Sequence, residues 1–284
     1  MTARFDAVIF DIDNVLVDTR ASYTDCIRKT AETYLETVLN FRPSRLTLLT
    51  REDIESFKSF GGFNDDWDTC YGLLLYFLSN KVRKRAVYEL WKKKNIIQLA
   101  RTIKPKPLGV KGAEKIWGAR KEVILSKIAD IFQRFYLNEF VWNEKLIISK
   151  TFLKQLKRKG IKLGIVTGRS REEAGFALRR FKIDSLIDGM VTVDDTPKDL
   201  KKPNPYGLLK IASKFGKNLR YLYVGDLPDD ILAAARAKKK IKILSCGFLA
   251  VSTQPQEMKR SLKKVGANYI CATVSELKEL ITRK

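Results

Sequence analysis

The sequence predicts an α/β chain in which a parallel-sheet core is interrupted by a mostly helical insertion. Three observations carry that expectation. A short apolar run, Val8-Ile9-Phe10, ends abruptly in the carboxylates of Asp11 and Asp13. From Glu144 onward helical periods alternate with short apolar strands, the pattern of a parallel sheet fed by crossover helices. Between these regions the chain shows helical periods and almost no strand-like runs. The core is therefore expected over 1–18 and 144–284, and the helical insertion over 19–143.

Val8, Ile9 and Phe10 read as a strand buried on both faces. Such a strand cannot hold ionised Asp11 and Asp13 without a compensating charge, so both belong at its carboxyl end. A helical pattern follows from about Arg20 to Leu39, with Tyr23, Ile27, Ala31, Tyr34, Leu35 and Val38 near one face, until Pro43 interrupts it. Gly61-Gly62, Lys104 to Pro107 and Gly109 to Gly112 break the rest of the insertion. Next come a helix Glu144 to Lys159, a strand Lys162 to Val166 ending at Thr167-Gly168-Arg169, and a helix Arg171 to Phe181. A strand near Gly189 to Val193, a helix near Pro205 to Phe215 and a strand Tyr221 to Val224 ending at Gly225-Asp226 continue the alternation. Helix Asp229 to Lys239, strands Ile241 to Leu244 and Tyr269 to Cys271, and helix Val274 to Ile281 complete a Rossmann-like core.

The 284 residues are 45% hydrophobic, enough for a sizeable core, and no apolar run approaches the roughly 20 residues that span a bilayer. The amino terminus enters a polar-flanked strand without a leader pattern, so a soluble, cytoplasmic protein with no membrane partner is expected. Cys26, Cys70, Cys246 and Cys271 are scattered without a C-x-x-C pair and read as reduced core residues. Histidine is absent, which removes imidazole as base, nucleophile or metal ligand. The formal charge of +23 suits either a Lys-rich solvated surface or the attraction of anions. Because the lysines run along the whole chain rather than beside aromatic platforms, the solvated surface is the favoured reading and a nucleic-acid partner is not expected.

Polar groups then fall at the ends of the expected strands: Asp11 and Asp13, Thr167, and Asp226 and Asp230, with Lys202 in a loop between. Open parallel sheets bind ligands at that edge. Phosphoryl transfer from a metal-bound monoester needs this combination. Asp11 would be the nucleophile, and Asp13 the general acid and base. Thr167 and the Gly168 amide would bind phosphoryl oxygens, and Lys202 would neutralise charge on nucleophile and phosphate. Asp226, helped by Asp230 and joined by Asp11 and Asp13, would hold Mg²⁺, which would also relieve the repulsion between Asp11 and Asp13.

Each piece has a plainer explanation. Asp13-Asn14 can be a solvated turn, Ser170 a helix cap, Lys202 a solvated loop lysine, and Asp229-Asp230 a favourable pairing with a helix dipole. Only the ordered set favours chemistry.

That set resembles the haloacid dehalogenase-like hydrolase superfamily. D-x-D-x-[TV] matches Asp11-Ile12-Asp13-Asn14-Val15, the Thr after a hydrophobic strand matches Thr167, Lys-Pro matches Lys202-Pro203, and G-D-x-x-x-D matches Gly225-Asp226 to Asp230. Asn14 stands where many members carry Gly, and Asn also tolerates a left-handed turn. Asp13 implies phosphate chemistry, because dehalogenating members lack it. The insertion looks like the helical cap of the phosphoglycolate phosphatase-like subfamily, larger than its usual four-helix form. Within it Lys58 to Asp68 is the most individual segment. Asn64 and Trp67 there either select substrate or belong to an inter-helix turn, and Arg169 is placed to reach the leaving group.

A Mg²⁺-dependent phosphatase for a small phosphorylated metabolite is thus expected, with a phosphoglycolate- or histidinol-phosphate-like substrate. A phosphomutase, or a nucleic-acid- or acidic-partner-binding protein on an inactive scaffold, stays open. So does the oligomeric state, a homodimer included.

Overall fold

The computed structural model describes residues 4–63, 65–102 and 108–283. The chain divides into two compact units, Met1–Asp18 with Lys145–Lys284, and Thr19–Glu144. In the first, the strands are β1 (Ala7–Phe10), β2 (Val17–Asp18), β3 (Lys145–Leu146), β4 (Lys162–Val166), β5 (Gly189–Val191), β6 (Tyr221–Gly225), β7 (Ile243–Phe248) and β8 (Tyr269–Cys271). Six of them form one parallel sheet in the order β5-β4-β1-β6-β7-β8, and β2 and β3 make a short antiparallel pair. Phe10 lies opposite both Ile165 and Val224, so the residues after β1, β4 and β6 leave the sheet side by side at its carboxyl edge. That register positions the site.

In the second unit, α1 (Asp25–Thr33) is flanked by π-helical turns Arg20–Thr24 and Tyr34–Val38. It is followed by α2 (Arg51–Lys58), α3 (Asp66–Ser79), α4 (Val87–Lys93), α5 (Ile96–Thr102), α6 (Gly109–Trp117) and α7 (Leu125–Asn138). The expected Arg20 to Leu39 helix is present, with bonds that skip a residue at both ends: Thr24 N–H to Thr19 O and Leu39 N–H to Tyr34 O, each 3.1 Å. Helix α3 buries Cys70, Leu73, Leu74, Leu75, Tyr76 and Phe77 and packs on α1, α6 and α7, as a helix apolar around most of its circumference must. Gly62 (φ +78°) meets Gly109 so closely that a Cβ on Gly62 would lie 2.7 Å from the Gly109 Cα. The sequence break at these glycines is a backbone crossing that side chains would block.

The core helices are α8 (Lys150–Arg158), α9 (Arg171–Arg180), α10 (Tyr206–Phe215), α11 (Pro228–Ala237), α12 (Pro255–Lys264) and α13 (Val274–Thr282). Val8 and Phe10 join a cluster with Leu153 and Leu156 of α8, Leu178 of α9 and Ile281 of α13. Ala7 and Ile9 join the opposite cluster, with Ile211 and Phe215 of α10 and Ala233 and Ala234 of α11. Strand β1 is thus buried on both faces, as its unbroken apolar run requires.

Two boundaries differ from expectation. The helix expected from Glu144 starts at Lys150, because Ser149 caps it, accepting from the Phe152 N–H at 3.3 Å, while Lys145–Leu146 pairs with β2. The strand expected over Ile241 to Leu244 lies at Ile243–Phe248, and α12 follows it where no element was expected. Among the described residues no helix is long and apolar enough to cross a membrane, and all four cysteines are free and buried.

Candidate active site

Asp11 follows β1 directly. Its N–H donates to Val224 O of β6 at 2.9 Å, which continues the sheet ladder and fixes the residue at the strand end. Its carboxylate accepts from the Ile12 N–H at 2.8 Å. Lys202, in the loop between β5 and α10, places Nζ 3.1 Å from Asp11 Oδ2 and 2.8 Å from Asp230 Oδ1. Tyr223 donates its hydroxyl to Asp230 Oδ1 at 2.8 Å, and the Leu227 N–H donates to Oδ2 at 3.1 Å. Asp230 is fully buried, and it holds the lysine that reaches Asp11.

Local sequence explains this packing. A Cβ on Gly225 would lie 2.3 Å from the Asp230 Cβ, so only glycine lets the first turn of α11 fold against the end of β6. Asn14 adopts φ +55° after the two aspartates, and its amide donates to Asp226 Oδ2 at 3.2 Å. The asparagine therefore both turns the chain and ties the β1 loop to the β6 loop.

Carboxylate oxygens of Asp11, Asp226 and Asp230 all lie within 4.8 Å of one another. Burial pushes the Asp11 carboxyl up to about 7; Asp230 and Asp13 add to the rise, and Lys202 and the Ile12 N–H oppose it. Burial works against the Lys202 charge as well, but Asp11 and Asp230 overcome it and hold its pKa well above the ordinary value. This oxygen-only donor set, with negative charge accumulated in a buried place, fits a hard divalent cation.

Thr167 follows β4 directly, with its N–H donating to Val191 O at 3.1 Å and its Oγ1 accepting from the Arg169 N–H at 3.2 Å. Gly168 beside it is exposed. Ser170 does cap α9, in a reciprocal box with Glu173, so the capping explanation and the strand-end placement of Thr167 hold together.

The structure thus gathers Asp11, Lys202, Asp226 and Asp230 at the carboxyl edge, with Thr167 on the neighbouring strand. Asp13 lies outside the three-carboxylate group. Its Oδ1 accepts from Arg169 Nε at 2.9 Å and lies 2.7 Å from Arg169 Nη2. Arg169 itself is buried and joins the β4 loop to the β1 loop. In the helical unit, Trp67 is half-buried in the first turn of α3, its N–H on the Asp65 cap at 3.0 Å. Asn64 lies outside the described residues. Sequence reasoning missed Tyr223, which reads as one more apolar strand residue; the signal was its place two residues before Gly225, the end of the strand.

A family model described as haloacid dehalogenase-like hydrolase matches residues 5–238. Pyrophosphatase PpaX of Bacillus cereus (strain AH820) is 35% identical over 94 residues, which cover 33% of this chain and 43% of that protein. An imidazoleglycerol-phosphate dehydratase of Phytophthora nicotianae is 23% identical over 299 residues, covering 99% of this chain and 53% of that one. The chain spans about half or less of the length of these curated relatives. A solved structure from Haemophilus somnus 129Pt, described as a predicted phosphoglycolate phosphatase, shares the fold with a TM-score of 0.61, 18% identity and 97% of each chain covered. With the family match running from the residue before Asp6 through all four strand-end groups, the chain belongs to the haloacid dehalogenase-like hydrolases.

Proposed function

We propose that this hydrolase is a Mg²⁺-dependent phosphatase that cleaves a small phosphomonoester through an aspartyl-phosphate on Asp11. One observation supports it above the others: a single buried ammonium, Lys202, bridges Asp11 and Asp230 while Asp226 stands within 4.8 Å of both. A structural ion pair needs one carboxylate per ammonium. A site for a phosphate dianion needs a nucleophile, a cation that stays charged, and donors for a divalent ion.

In this reading an Asp11 oxygen attacks phosphorus and the bond to the ester oxygen breaks. Asp13 delivers a proton to the departing alkoxide, then takes one from the water that attacks the aspartyl-phosphate and releases inorganic phosphate. Lys202 neutralises charge on Asp11 and the transferring group, and Thr167 with the Gly168 amide binds phosphoryl oxygens. Arg169 holds the Asp13 carboxylate in one orientation. Asp11 and Asp226 would hold Mg²⁺, with Asp230 adding negative charge behind them; the ion supplies charge neutralisation at the phosphoryl oxygens. The helical unit serves as a substrate-selecting cap, with Trp67 and Asn64 in its selecting segment. A cytoplasmic setting is in keeping with four buried thiols.

The test is phosphate release from an aryl phosphate and a panel of metabolite phosphates, with Mg²⁺ or EDTA, in wild type and Asp11→Asn. The relatives' names put phosphoglycolate and pyrophosphate in that panel. Release that needs both Mg²⁺ and Asp11 is expected. Release that survives Asp11→Asn would sink the mechanism, and transfer back to substrate with little free phosphate would replace hydrolysis by a mutase reaction.

A further inference from the structure

The amino edge of the same sheet carries a second concentration of charge, of the opposite sign. A cavity of about 630 Å³ opens there, lined by residues that lead into β1, β6 and β7. Six of them are cationic: Arg4, Lys217, Arg220, Lys238, Lys240 and Lys242. Among the described residues no carboxylate lines it. Strand β6 is five residues long, so this cavity and Asp226 stand at opposite ends of it, roughly 17 Å apart at the usual rise per residue. A ligand here is not the ligand of Asp11.

The two guanidiniums are fixed in place. Arg4 donates to the Tyr269 hydroxyl and lies 5.1 Å from that ring and 5.6 Å from the Phe5 ring. Arg220 meets Asp6 through Nε at 3.0 Å and Nη2 at 2.8 Å. The lysines differ. Lys217, Lys238, Lys240 and Lys242 are exposed at the rim, and of these Lys242 lies near enough to Asp6 to help Arg220 hold its carboxyl below the ordinary value. Like charges crowded round a concavity repel one another, so a polyvalent anion gains affinity from relieving that repulsion as well as from direct contact.

The lining also narrows the anion. Its two aromatic rings, Phe5 and Tyr221, are buried at 2% and 1% exposure, and so offer no platform on which a base could stack. The six cations line one concavity. We propose that this cavity binds a compact anion of several linked phosphates, independently of the catalytic edge.

Calorimetric titration of the full chain with inorganic tripolyphosphate, in EDTA, tests this. Replacing Lys238, Lys240 and Lys242 together by Ala should weaken binding about tenfold, the sum of three surface ion pairs, and leave basal turnover unchanged. Lys202→Met, at the other edge, and a triple Ala replacement of Lys111, Lys115 and Lys121 in the helical unit should leave binding as it was. Equal loss in the control triple would reduce the effect to net charge. Loss in Lys202→Met would move the ligand to the carboxyl edge. A single-stranded oligonucleotide that binds as well per phosphate, and is weakened by the same three replacements, would make the cavity part of an open polyanion surface. Each of these three results overturns the proposal.

Discussion

The two units bury carboxylates by opposite arithmetic. In the helical unit Asp25 is shared by two guanidiniums, Arg51 at 2.6 Å and Arg28 at 3.7 Å, and Asp53 takes Lys94 together with the N–H and hydroxyl of Thr50. In the sheet unit one ammonium, Lys202, is shared by two carboxylates, and a third lies within 4.8 Å. Cations are abundant in a chain of charge +23, so their scarcity beside Asp11 is not a matter of supply. The helical unit meets Asp25 and Asp53 with cations from its own helices and loops. On the proposed function, an edge that would bind a phosphate and a metal gathers more carboxylate than Lys202 alone can balance.

The largest consequence concerns the mismatched set. Asp11→Asn keeps shape and removes the proposed nucleophile, so turnover should fall by at least about 10³-fold with the circular dichroism spectrum unchanged. Comparable activity in the variant would place the chemistry elsewhere and remove the functional meaning of the mismatch.

The counterpart lies in the helical unit. Lys94→Met strips a nearly buried Asp53 of the one ammonium that reaches it among the described residues, and also loses the bond from Nζ to Leu48 O at 2.9 Å. Breaking such a pair costs about 3–5 kcal/mol, read as a lowered denaturation midpoint. Turnover below that midpoint should be unchanged. A variant that instead folds normally and loses activity would give Asp53 and Lys94 a role in the site.

How much of this contrast was legible in the sequence depends on distance along the chain. Asp11, Asp226 and Thr167 could be placed because each ends an apolar run, and a parallel sheet brings such ends together. Asn14 at φ +55° was legible from residue type. The pairing of Arg169 with Asp13 was not, because 156 positions separate them and an arginine after a strand points equally well at substrate. Tyr223 was hidden by its own hydrophobicity. The late start of α8 turned on Ser149, since a capping hydroxyl outweighs the helical propensity of the residues before it. Helix α12 had its signal in Pro255 at the first helical position, but its polar, lysine-rich face reads as loop.

A third prediction uses pH to separate matched from mismatched charge. In EDTA the folded Asp11 carboxyl sits at about 7, chiefly through burial. Unfolded, it titrates near the ordinary value of about 3.9. Between those values the folded chain holds a proton that the unfolded chain has lost. The stability this confers is complete below the lower value and disappears as pH rises through the upper one, an effect on the order of 4 kcal/mol. Melting temperature followed from pH 4 to 8 should therefore decline in wild type, and Asp11→Asn should flatten that part of the slope. A wild-type curve that rises across the window would mean that Lys202 already holds Asp11 ionised without metal.

The smallest effect tests whether matching in the helical unit is graded by burial. Arg51 reaches Asp25 through Nε at 3.1 Å and Nη2 at 2.6 Å, a two-point fork that also ties α2 to α1. The Arg51 side chain is 43% exposed, so water already screens most of the attraction. Arg51→Lys keeps the charge and reduces the fork to one point, and should cost less than about 1 kcal/mol in the same denaturation experiment. Lys94→Met removes a charge where water cannot substitute for it. A similar loss from both would show that the helical unit depends on the geometry of its ion pairs rather than on their burial. The excess carboxylate beside Lys202 would then be one strained pairing among several, and no longer a mark that singles out the functional edge.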